Sequence, residues 1–420
     1  MRLTVVFLFL LTFALINAVA ECTERSGLAI IRDGQAQAVI VISQNADGQT
    51  RKAANVLSEY LRKSTEAQVP IVTETTKGEG YRIFVGESAL SADPQIAVAM
   101  QDLDEQGFLI RCREDHISIV GPSVWGTLHG VYEFLERYVG VRWLLPGPDG
   151  EDVPRRQDVV VPWGDIREEP AFSYRTISPI RGTPDSPGTM QWHNEWAQRN
   201  KLQGGYNDRI RFHHNLFSVF PPEKYGKTHC ELYPNCRVPA PGQNTGWQPC
   251  FTGKDSVDIA VAEIVAYFAT HPHETFFSLG VNDSRGHCEA DPSHPHYPGR
   301  LNSIGMVDMS DIYYAWVNEV VTRVLEVYPD KWFGVLAYYD VMDPPSFPLH
   351  PRVIPLITKD RMAWIDDDVR AAGHKQMDAW NAVAAQVAWY DYMYGGAHYI
   401  VPRGVAPIWW TVNRYYAESS

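Results

Sequence analysis

The chain has 420 residues, of which 45% are hydrophobic and 21% charged. This composition excludes a disordered chain and suffices for two domains with cores of their own. The formal net charge is −13 and no run of lysine or arginine forms a basic stripe, so no nucleic acid is expected as a partner.

The first predicted element is a secretory signal over residues 1–20. Arg2 supplies a positive start, residues 3–16 are apolar, and Ala-Val-Ala at 18–20 has the small-x-small pattern of a cleavage site. The apolar stretch is shorter than the roughly 20 residues that span a membrane. We therefore expect a secreted or periplasmic chain that begins near Glu21 and does not remain in the membrane.

Residues 21–165 are predicted to form a small α+β accessory domain, with a boundary near Pro170. Two amphipathic helices are indicated by apolar residues at helical spacing around 53–61 and 128–138. Short apolar runs predict four strands, the last two joined as a hairpin. These runs lie at 38–43, 81–86, 108–114 and 116–121.

From residue 171 onward, apolar strands alternate with longer amphipathic helices. Such alternation is typical of parallel strands in a doubly wound sheet or a barrel. No glycine-rich phosphate loop follows a strand, and several strands end in polar residues, which favours the barrel. The fold class is therefore predicted as α/β, a (β/α)8 TIM-type barrel over residues 171–420. The predicted strands are 173–180, 209–215, 276–281, 332–339 and 387–394, and the helices are 190–200, 256–268, 310–328 and 377–385.

The end of the sequence, NRYYAESS at 413–420, lies within an amphipathic helical pattern after about six strand–helix units. No capping glycine or other stop signal follows. We expect a barrel that is truncated at its C-terminus.

The six cysteines lie at positions 22, 112, 230, 236, 250 and 288. In an exported protein such cysteines pair rather than remain free thiols. Because four of them fall between 230 and 288, one or two disulfides are expected in that loop-rich region. The pairing is left open by the sequence.

The stretch FFSLGVNDSRGHCEADPSHPH at 276–296 concentrates polar residues after an apolar strand. It lacks the CxxC and HExxH spacings that fix zinc ligands, so no metal and no cofactor are expected. Alternation along the strand places Asn282 at the barrel mouth and begins the loop with Asp283. Asp283 is either an acid, base or substrate-orienting group, or a carboxylate that caps the loop.

Other candidate substrate-binding residues follow the remaining strands. Each has a structural alternative, namely an ion pair for arginine, a satisfied hydrogen bond for histidine and core packing for tyrosine. The candidates are Arg175, His213, His214, Asn215, Tyr338, Asp391 and Tyr392.

Several stretches carry a resemblance to known families. The first domain, with GVRWLLPG at 140–147, resembles the accessory domain of α-glucuronidases and β-hexosaminidases. The second resembles the domain-of-unknown-function 4838 family, whose members include glycoside hydrolase family 163. The matching stretches are RFHHNLFSVFPPEKY (211–225), CELYP (230–234), FSLGVNDSRGHCE (277–289), VLAYYDVMDPP (335–345) and VAWYDYMYGG (387–396).

The resemblance implies an exported glycosidase, an endo-β-N-acetylglucosaminidase that acts on N-glycans of glycoproteins. Substrate-assisted retention would use Asn282 or Asp283 to position the acetamide, and Glu289, Asp340 or a glutamate beyond residue 420 as the acid. Family members often carry further cysteines after the Asn-Asp pair, whereas Ala290 follows Glu289 here. The alternatives are a non-catalytic carbohydrate-binding protein and a zinc-dependent hydrolase centred on residues 287–296.

Overall fold

The computed structural model describes residues 27–76, 80–172, 174–177, 189–202, 210–359 and 361–391. The predicted signal, Tyr392 and the end of the chain lie outside these ranges. Two compact units divide the chain, Met1–Tyr206 and Asn207–Ser420. The division falls later than the boundary expected near Pro170, because residues after it pack on the first unit. For example, Trp196 donates its indole N–H to the Trp143 carbonyl at 2.9 Å.

The first unit is built on a six-stranded mixed sheet. Its parallel strands are β3 (Ala38–Ile42), β4 (Ile71–Thr73), β5 (Tyr81–Val85) and β7 (His116–Val120). Strand β6 (Phe108–Cys112) lies antiparallel between β7 and β11 (Gly164–Glu168). The order across the sheet is β11-β6-β7-β5-β3-β4. The predicted hairpin and all four predicted strands are confirmed. The strands of the unit are β1 (Gly27–Arg32), β2 (Gln35–Ala36), β3 (Ala38–Ile42), β4 (Ile71–Thr73), β5 (Tyr81–Val85), β6 (Phe108–Cys112), β7 (His116–Val120), β8 (Arg142–Trp143), β9 (Glu151–Asp152), β10 (Val159–Pro162) and β11 (Gly164–Glu168).

Helices pack on this sheet through the apolar faces that the sequence predicts. The first begins after Asp47, whose carboxylate accepts from the backbone N–H groups of Gln49 and Thr50. Its Leu57 and Leu61 are fully buried in the first core. The helices are Gly48–Thr65, Glu87–Ala92, Gln95–Ala99, Val124–Phe134 with its continuation Leu135–Val139, and Thr189–Arg199.

The second unit contains a parallel sheet of four strands among the described residues, in the order β12-β13-β14-β15. The strands are β12 (Phe276–Ser278), β13 (Trp332–Ala337), β14 (Val353–Lys359) and β15 (Ala388–Asp391). The helices are Leu216–Val219, Pro222–Tyr225, Ser256–Thr270, Ser310–Leu325 and Asp367–Val383. The mixed α/β class is confirmed, and closure into an eight-stranded barrel stays a prediction.

Two predicted strands of the barrel differ from the structure. Residues 174–177, the described part of the predicted strand 173–180, form no strand, and residues 210–215 contribute an isolated parallel bridge between His214 and Gly280. The structure adds β14, which the sequence analysis missed. Within the described ranges, every helix falls short of the length and apolarity that a bilayer crossing demands.

Parallel pairing sets the position of the candidate site. β12 pairs with β13 from Phe276 to Ser278, and β13 continues to Ala337. Because the strands are parallel, the segments that follow Ser278 and Ala337 leave from the same edge of the sheet. These segments carry Asp283 and the Tyr338–Asp340 sequence.

Candidate functional site

A histidine, a carboxylate and a tyrosine meet at this edge of the sheet. The Tyr338 hydroxyl donates to Asp283 Oδ1 at 2.9 Å, and His214 Nε2 lies 3.8 Å from the same oxygen. His214 is oriented by its Nδ1–H, which donates to the Val281 carbonyl at 2.5 Å. The structure therefore brings His214, Asp283 and Tyr338 together, as the polar strand ends predict.

This cluster presents a carboxylate to solvent. The side chain of Asp283 is 57% exposed. Burial, together with hydrogen bonds to Tyr339 and the Asp283 carboxylate, raises the pKa of Tyr338 far above its ordinary value. Tyr338 therefore remains a hydrogen-bond donor at every physiological pH and holds Asp283 in place.

Asn282 lies beneath the surface, and its predicted place at the mouth is wrong. It is fully buried. Its Oδ1 accepts from the Phe217 backbone N–H at 2.8 Å, and its Nδ2 donates to the Trp247 carbonyl at 3.1 Å. The side-chain amide of Asn282 is therefore used to hold the backbone at Phe217 and Trp247.

A second pair of titratable side chains lies in the same region. Asp340 Oδ2 lies 3.7 Å from His287 Nε2, and both side chains are buried. Burial raises the pKa of Asp340, although the positive charge of Arg285 opposes the rise, and burial lowers the pKa of His287 to about 3. Because burial favours the neutral form of each, this contact is not an ion pair.

Asp340 also faces a cleft of about 420 Å³. Within the described part of the chain, Asp340 Oδ2 has no hydrogen-bond partner. The guanidinium of Arg285 lies 5.7 Å from the centre of the Tyr339 ring. The cleft thus combines an apolar wall with one carboxyl and one cation. Its lining residues are Arg285, Gly286, Ala290, Leu301, Ile304, Gly305, Met306, Val307 and Asp340.

Glu289, a predicted catalytic acid, is not among the residues that line the cleft. It is fully buried, and its Oε1 accepts from both the backbone N–H and the hydroxyl of Thr252 at 2.8 and 2.9 Å. Its neighbour Cys288 forms a disulfide with Cys250. These contacts give Glu289 a structural position in the loop.

Arg175 belongs to the first unit and not to the predicted mouth. Its guanidinium donates to the carbonyl oxygens of Phe172 and Lys201, each at 2.6 Å, and to Gln106 Oε1 at 2.8 Å. These hydrogen bonds supply the partners that a largely buried cation requires. The expected substrate contact for Arg175 is therefore replaced by an internal one.

Asp391 ends β15 as predicted, but its carboxylate is already paired. Its side chain is 9% exposed and lies 2.6 Å from Arg361 Nε. The guanidinium of Arg361 in turn lies 4.2 Å from the centre of a Trp389 ring. The carboxylate of Asp391 is therefore engaged in an ion pair at the end of β15. The other candidate after this strand, Tyr392, lies outside the described residues.

The two remaining candidates flank His214. His213 is partly exposed and stacks on Phe212 with ring centres 4.6 Å apart, and its partial burial and the neighbouring His214 and Arg211 lower its pKa. Asn215 donates from Nδ2 to the Ser278 carbonyl at 2.9 Å. Asn215 thereby ties its segment to the end of β12.

The loop-rich region contains two disulfides, Cys230–Cys236 and Cys250–Cys288. This confirms the expectation of one or two disulfides in this region and gives the pairing of the four cysteines. His287 to His296 form no three-residue metal group, whereas the described residues do bring donor atoms of His229, Glu231 and Asp255 within 4.8 Å of one another. The segment 276–296 is therefore a strand followed by a loop that begins at Asp283 and is held by the Cys250–Cys288 disulfide.

The sequence analysis missed Gln248 and Arg285. Gln248 is fully buried against the loop, and Arg285 lines the cleft. A polar residue within the aromatic and cysteine-containing stretch 247–251 is the only signal that the sequence offered for Gln248. Nothing in the local pattern distinguishes Arg285 from a solvent-exposed loop arginine.

Three solved structures show distant similarity to this chain. A mutant Streptomyces plicatus β-hexosaminidase in complex with GlcNAc has 13% identity and a TM-score of 0.38, covering 79% of this chain and 66% of that one. A family GH115 4-O-methyl-α-glucuronidase has 13% identity and a TM-score of 0.45, covering 80% and 46%. A Flavobacterium johnsoniae chitobiase has 12% identity and a TM-score of 0.44, covering 91% and 62%.

The chain thus spans less than two thirds of the length of each of these structures. No curated protein matches its sequence. The profile of the family described as "Domain of unknown function (DUF4838)" matches residues 145–417. This match extends over more than half of the chain and includes every candidate residue of the second unit, so the chain belongs to the DUF4838 family.

Proposed function

We propose that this chain is a glycoside hydrolase whose site lies at the carboxyl ends of β12 and β13. One observation carries the proposal. Asp340 lines a cleft, has an unpartnered oxygen within the described residues, and has a raised pKa because it is buried. A raised pKa lets a carboxyl group keep its proton to a higher pH, and a protonated carboxyl can donate to the oxygen of a leaving group, as glycosidases require.

The second carboxyl group in this proposal is Asp283, on the loop that follows β12 and outside the residues that line the cleft. Asp283 is exposed, and Tyr338 holds it through a hydrogen bond of 2.9 Å. In the proposed reaction, Asp340 protonates the glycosidic oxygen as its bond to the anomeric carbon breaks, and the substrate's own acetamide oxygen bonds to that carbon from the opposite face. Water then attacks the anomeric carbon of the cyclic intermediate, gives a proton back to Asp340 and restores the acetamide. The Asp283 carboxylate accepts a hydrogen bond from the acetamide N–H, which favours the attack by the acetamide oxygen. The substrate class is a β-linked N-acetylglucosamine glycan, cleaved with retention.

The apolar wall of the cleft is compatible with such a substrate. Leu301 and Ile304 are 66% and 42% exposed beside Asp340, and apolar side chains of this kind pack against the carbon-bearing face of a sugar or against its acetyl methyl group. The closed eight-stranded barrel and the activity on N-glycans are part of the proposal.

The test is turnover by the full-length chain. A glycoprotein carrying N-glycans and a panel of α- and β-linked 4-methylumbelliferyl glycosides are the probes, with products identified by mass spectrometry. Release of glycan by the wild type, and its loss in Asp340→Asn with folding intact, are expected. Absence of turnover on the whole panel would overturn the proposal, and binding of glycans without turnover would assign a carbohydrate-binding protein instead.

We also propose that the chain is exported after removal of residues 1–20. The charged start, the apolar stretch and the Ala-Val-Ala sequence support this. N-terminal sequencing of the chain recovered from outside the cytoplasm should begin near Glu21. A chain that retains Met1 in the cytoplasm would contradict export.

A further inference from the structure

One fully buried side chain is bonded to both sides of Asp283. Gln248 donates from Nε2 to the carbonyl oxygens of Asn282 and Ser284, each at 2.8 Å. Its Oε1 accepts from the Asn282 backbone N–H at 2.9 Å. Its own backbone N–H donates to the Gly286 carbonyl at 3.2 Å.

These hydrogen bonds from Gln248 take the place of the backbone pairing that a neighbouring strand would give the loop. Residues 281–287 have no helix or strand in the structure, yet buried backbone groups must be hydrogen-bonded. Gln248 supplies donors and an acceptor from a single amide, and it binds the residue before Asp283 and the residue after it. The peptide plane that precedes Asp283 and the plane that follows Ser284 are therefore both held by one side chain.

Other contacts hold the same two segments together and set the position of Gln248. Asn282 Nδ2 donates to the Trp247 carbonyl, and Cys250 is joined to Cys288. Residues 247–252 thus lie along residues 282–289 and are bonded to them at several points. We call residues 247–252 the strap.

We propose that Gln248 is a positioning residue that fixes the carboxylate of Asp283 at the site. This inference rests on the proposed function, since it assigns Gln248 a part in the same reaction. Gln248 does not touch the substrate in this scheme. It acts through the backbone at Asn282 and Ser284, and the strap transmits the rigidity of the disulfide to that backbone.

Two substitutions separate positioning from mere stability. Gln248→Leu keeps much of the volume and removes every side-chain hydrogen bond. Gln248→Glu keeps the acceptor, but its ionised form sets a carboxylate against the carbonyl oxygens of Asn282 and Ser284. A protonated glutamic acid can donate one of the two lost hydrogen bonds, so Gln248→Glu should recover as pH falls.

Asn318→Leu is the matched control. Asn318 also clamps backbone with one amide, donating to the Pro348 carbonyl at 3.0 Å and accepting from the His350 N–H at 2.8 Å. These contacts precede β14, which begins at Val353, and therefore lie at the edge of the sheet opposite the site. Asn318→Leu should lower thermal stability and leave turnover by the folded protein unchanged.

The experiment measures kcat and KM per folded molecule on whichever 4-methylumbelliferyl glycoside the wild type cleaves, together with hydrogen exchange of peptides covering 282–290. In Gln248→Leu we expect kcat to fall about 100-fold, the effect of a misplacement of about 1 Å, with KM little changed and faster exchange in 282–286. The kcat of Gln248→Glu relative to wild type should rise at lower pH.

Two results would overturn the inference. One is a Gln248→Leu protein that unfolds at lower temperature but keeps wild-type kcat per folded molecule. The other is unchanged exchange at 282–286 in that variant, which would show that Gln248 does not fix the loop. If the wild type cleaves no probe, the proposed function fails, and the exchange measurement still decides whether Gln248 holds Asp283.

Discussion

At the scale of single residues, the buried carboxyl group of Asp340 lowers the stability of the fold when it is ionised, as expected of a proton donor. Asp340 is 7% exposed, and His287, whose Nε2 lies 3.7 Å from its Oδ2, is itself neutral. A raised pKa in the folded state means that folding disfavours the ionised carboxylate. The stability that the group contributes is therefore present at low pH and lost as pH rises above its unfolded pKa toward its folded one.

Asp340→Asn should consequently stabilise the fold near pH 7 while removing the proton donor. We expect a higher urea midpoint for the second unit, and a fall in kcat of about 100- to 10,000-fold, the usual contribution of general acid catalysis. Urea unfolding and steady-state kinetics on the same preparations check both. An unchanged kcat would remove Asp340 from the reaction, and a lower midpoint at pH 7 would refute the charge argument.

Arg285 tunes the same carboxyl group. Its positive charge lowers the pKa of Asp340 against the effect of burial. If Arg285→Gln removes that charge, the pKa of Asp340 rises further, so the protonated acid survives to higher pH. The alkaline limb of the kcat profile should move to higher pH in this variant.

The matched comparison for Arg285 is Arg300, whose guanidinium is paired with Asp308 and Asp311, each at 2.8 Å. Arg300→Gln removes the same charge from a site that is engaged elsewhere, and its pH profile should coincide with that of the wild type. A shift of Arg285→Gln toward lower pH would have the wrong sign for this mechanism.

At the scale of elements, the periodicity of apolar residues predicted the helices and strands whose formation depends on burying one apolar face. The four predicted strands of the first sheet formed where the pattern placed them, as did the helices with strong apolar faces, because each buries an apolar face in a core. β14 was missed since Pro355 lies within it, and proline argues against a strand. In the parallel sheet, Pro355 is accommodated opposite Val335 of β13.

The sequence predicted only those site residues that directly follow the ends of strands. Asp283 and Tyr338 follow from the rule that the tips of parallel strands converge. The predicted position of Asn282 was wrong because side-chain alternation along a strand does not reveal tertiary contacts. The Asn282 side-chain amide is hydrogen-bonded to the backbone of Phe217 and Trp247. Gln248 could not be predicted, since its partners lie 34 and 36 residues away in the chain and are set by tertiary structure.

The two disulfides should differ in what they contribute. Cys230–Cys236 closes a loop of 6 residues and Cys250–Cys288 one of 38. On the chain-entropy scale, losing the first should cost about 2 kcal/mol and losing the second about 4 kcal/mol. Urea unfolding of the two double serine variants measures both values.

The same pair of variants bears on the strap. Cys250→Ser with Cys288→Ser should also reduce kcat, because Cys288 follows the Asp283 loop, whereas Cys230→Ser with Cys236→Ser should leave kcat unchanged. Equal effects of the two pairs on kcat would argue against transmission through the strap.

At the scale of the whole molecule, each unit contains a buried histidine whose pKa burial lowers strongly. In the first unit, His129 is 3% exposed, its Nδ1 lies 3.1 Å from the Gln106 carbonyl, and burial lowers its pKa to about 4. In the second unit, His287 is 6% exposed, and burial lowers its pKa to about 3. The ordinary value in an unfolded chain is 6.5.

Acid should therefore destabilise both units through a shared mechanism. With a folded pKa below the unfolded one, each histidine contributes stability above pH 6.5 that is lost as pH falls toward its folded pKa. Between pH 6 and 4.5 the loss approaches about 1.4 kcal/mol per pH unit for each histidine. His129→Gln should reduce this dependence in the first unit, where His193 is also buried with a lowered pKa and keeps part of it. His287→Gln should reduce it in the second unit, and urea unfolding at several pH values, with hydrogen exchange assigning the unit, measures both effects. Because each variant removes one of the two strongly shifted titrations, a variant that reduces the dependence in both units, or in neither, would refute the assignment of acid sensitivity to these buried rings.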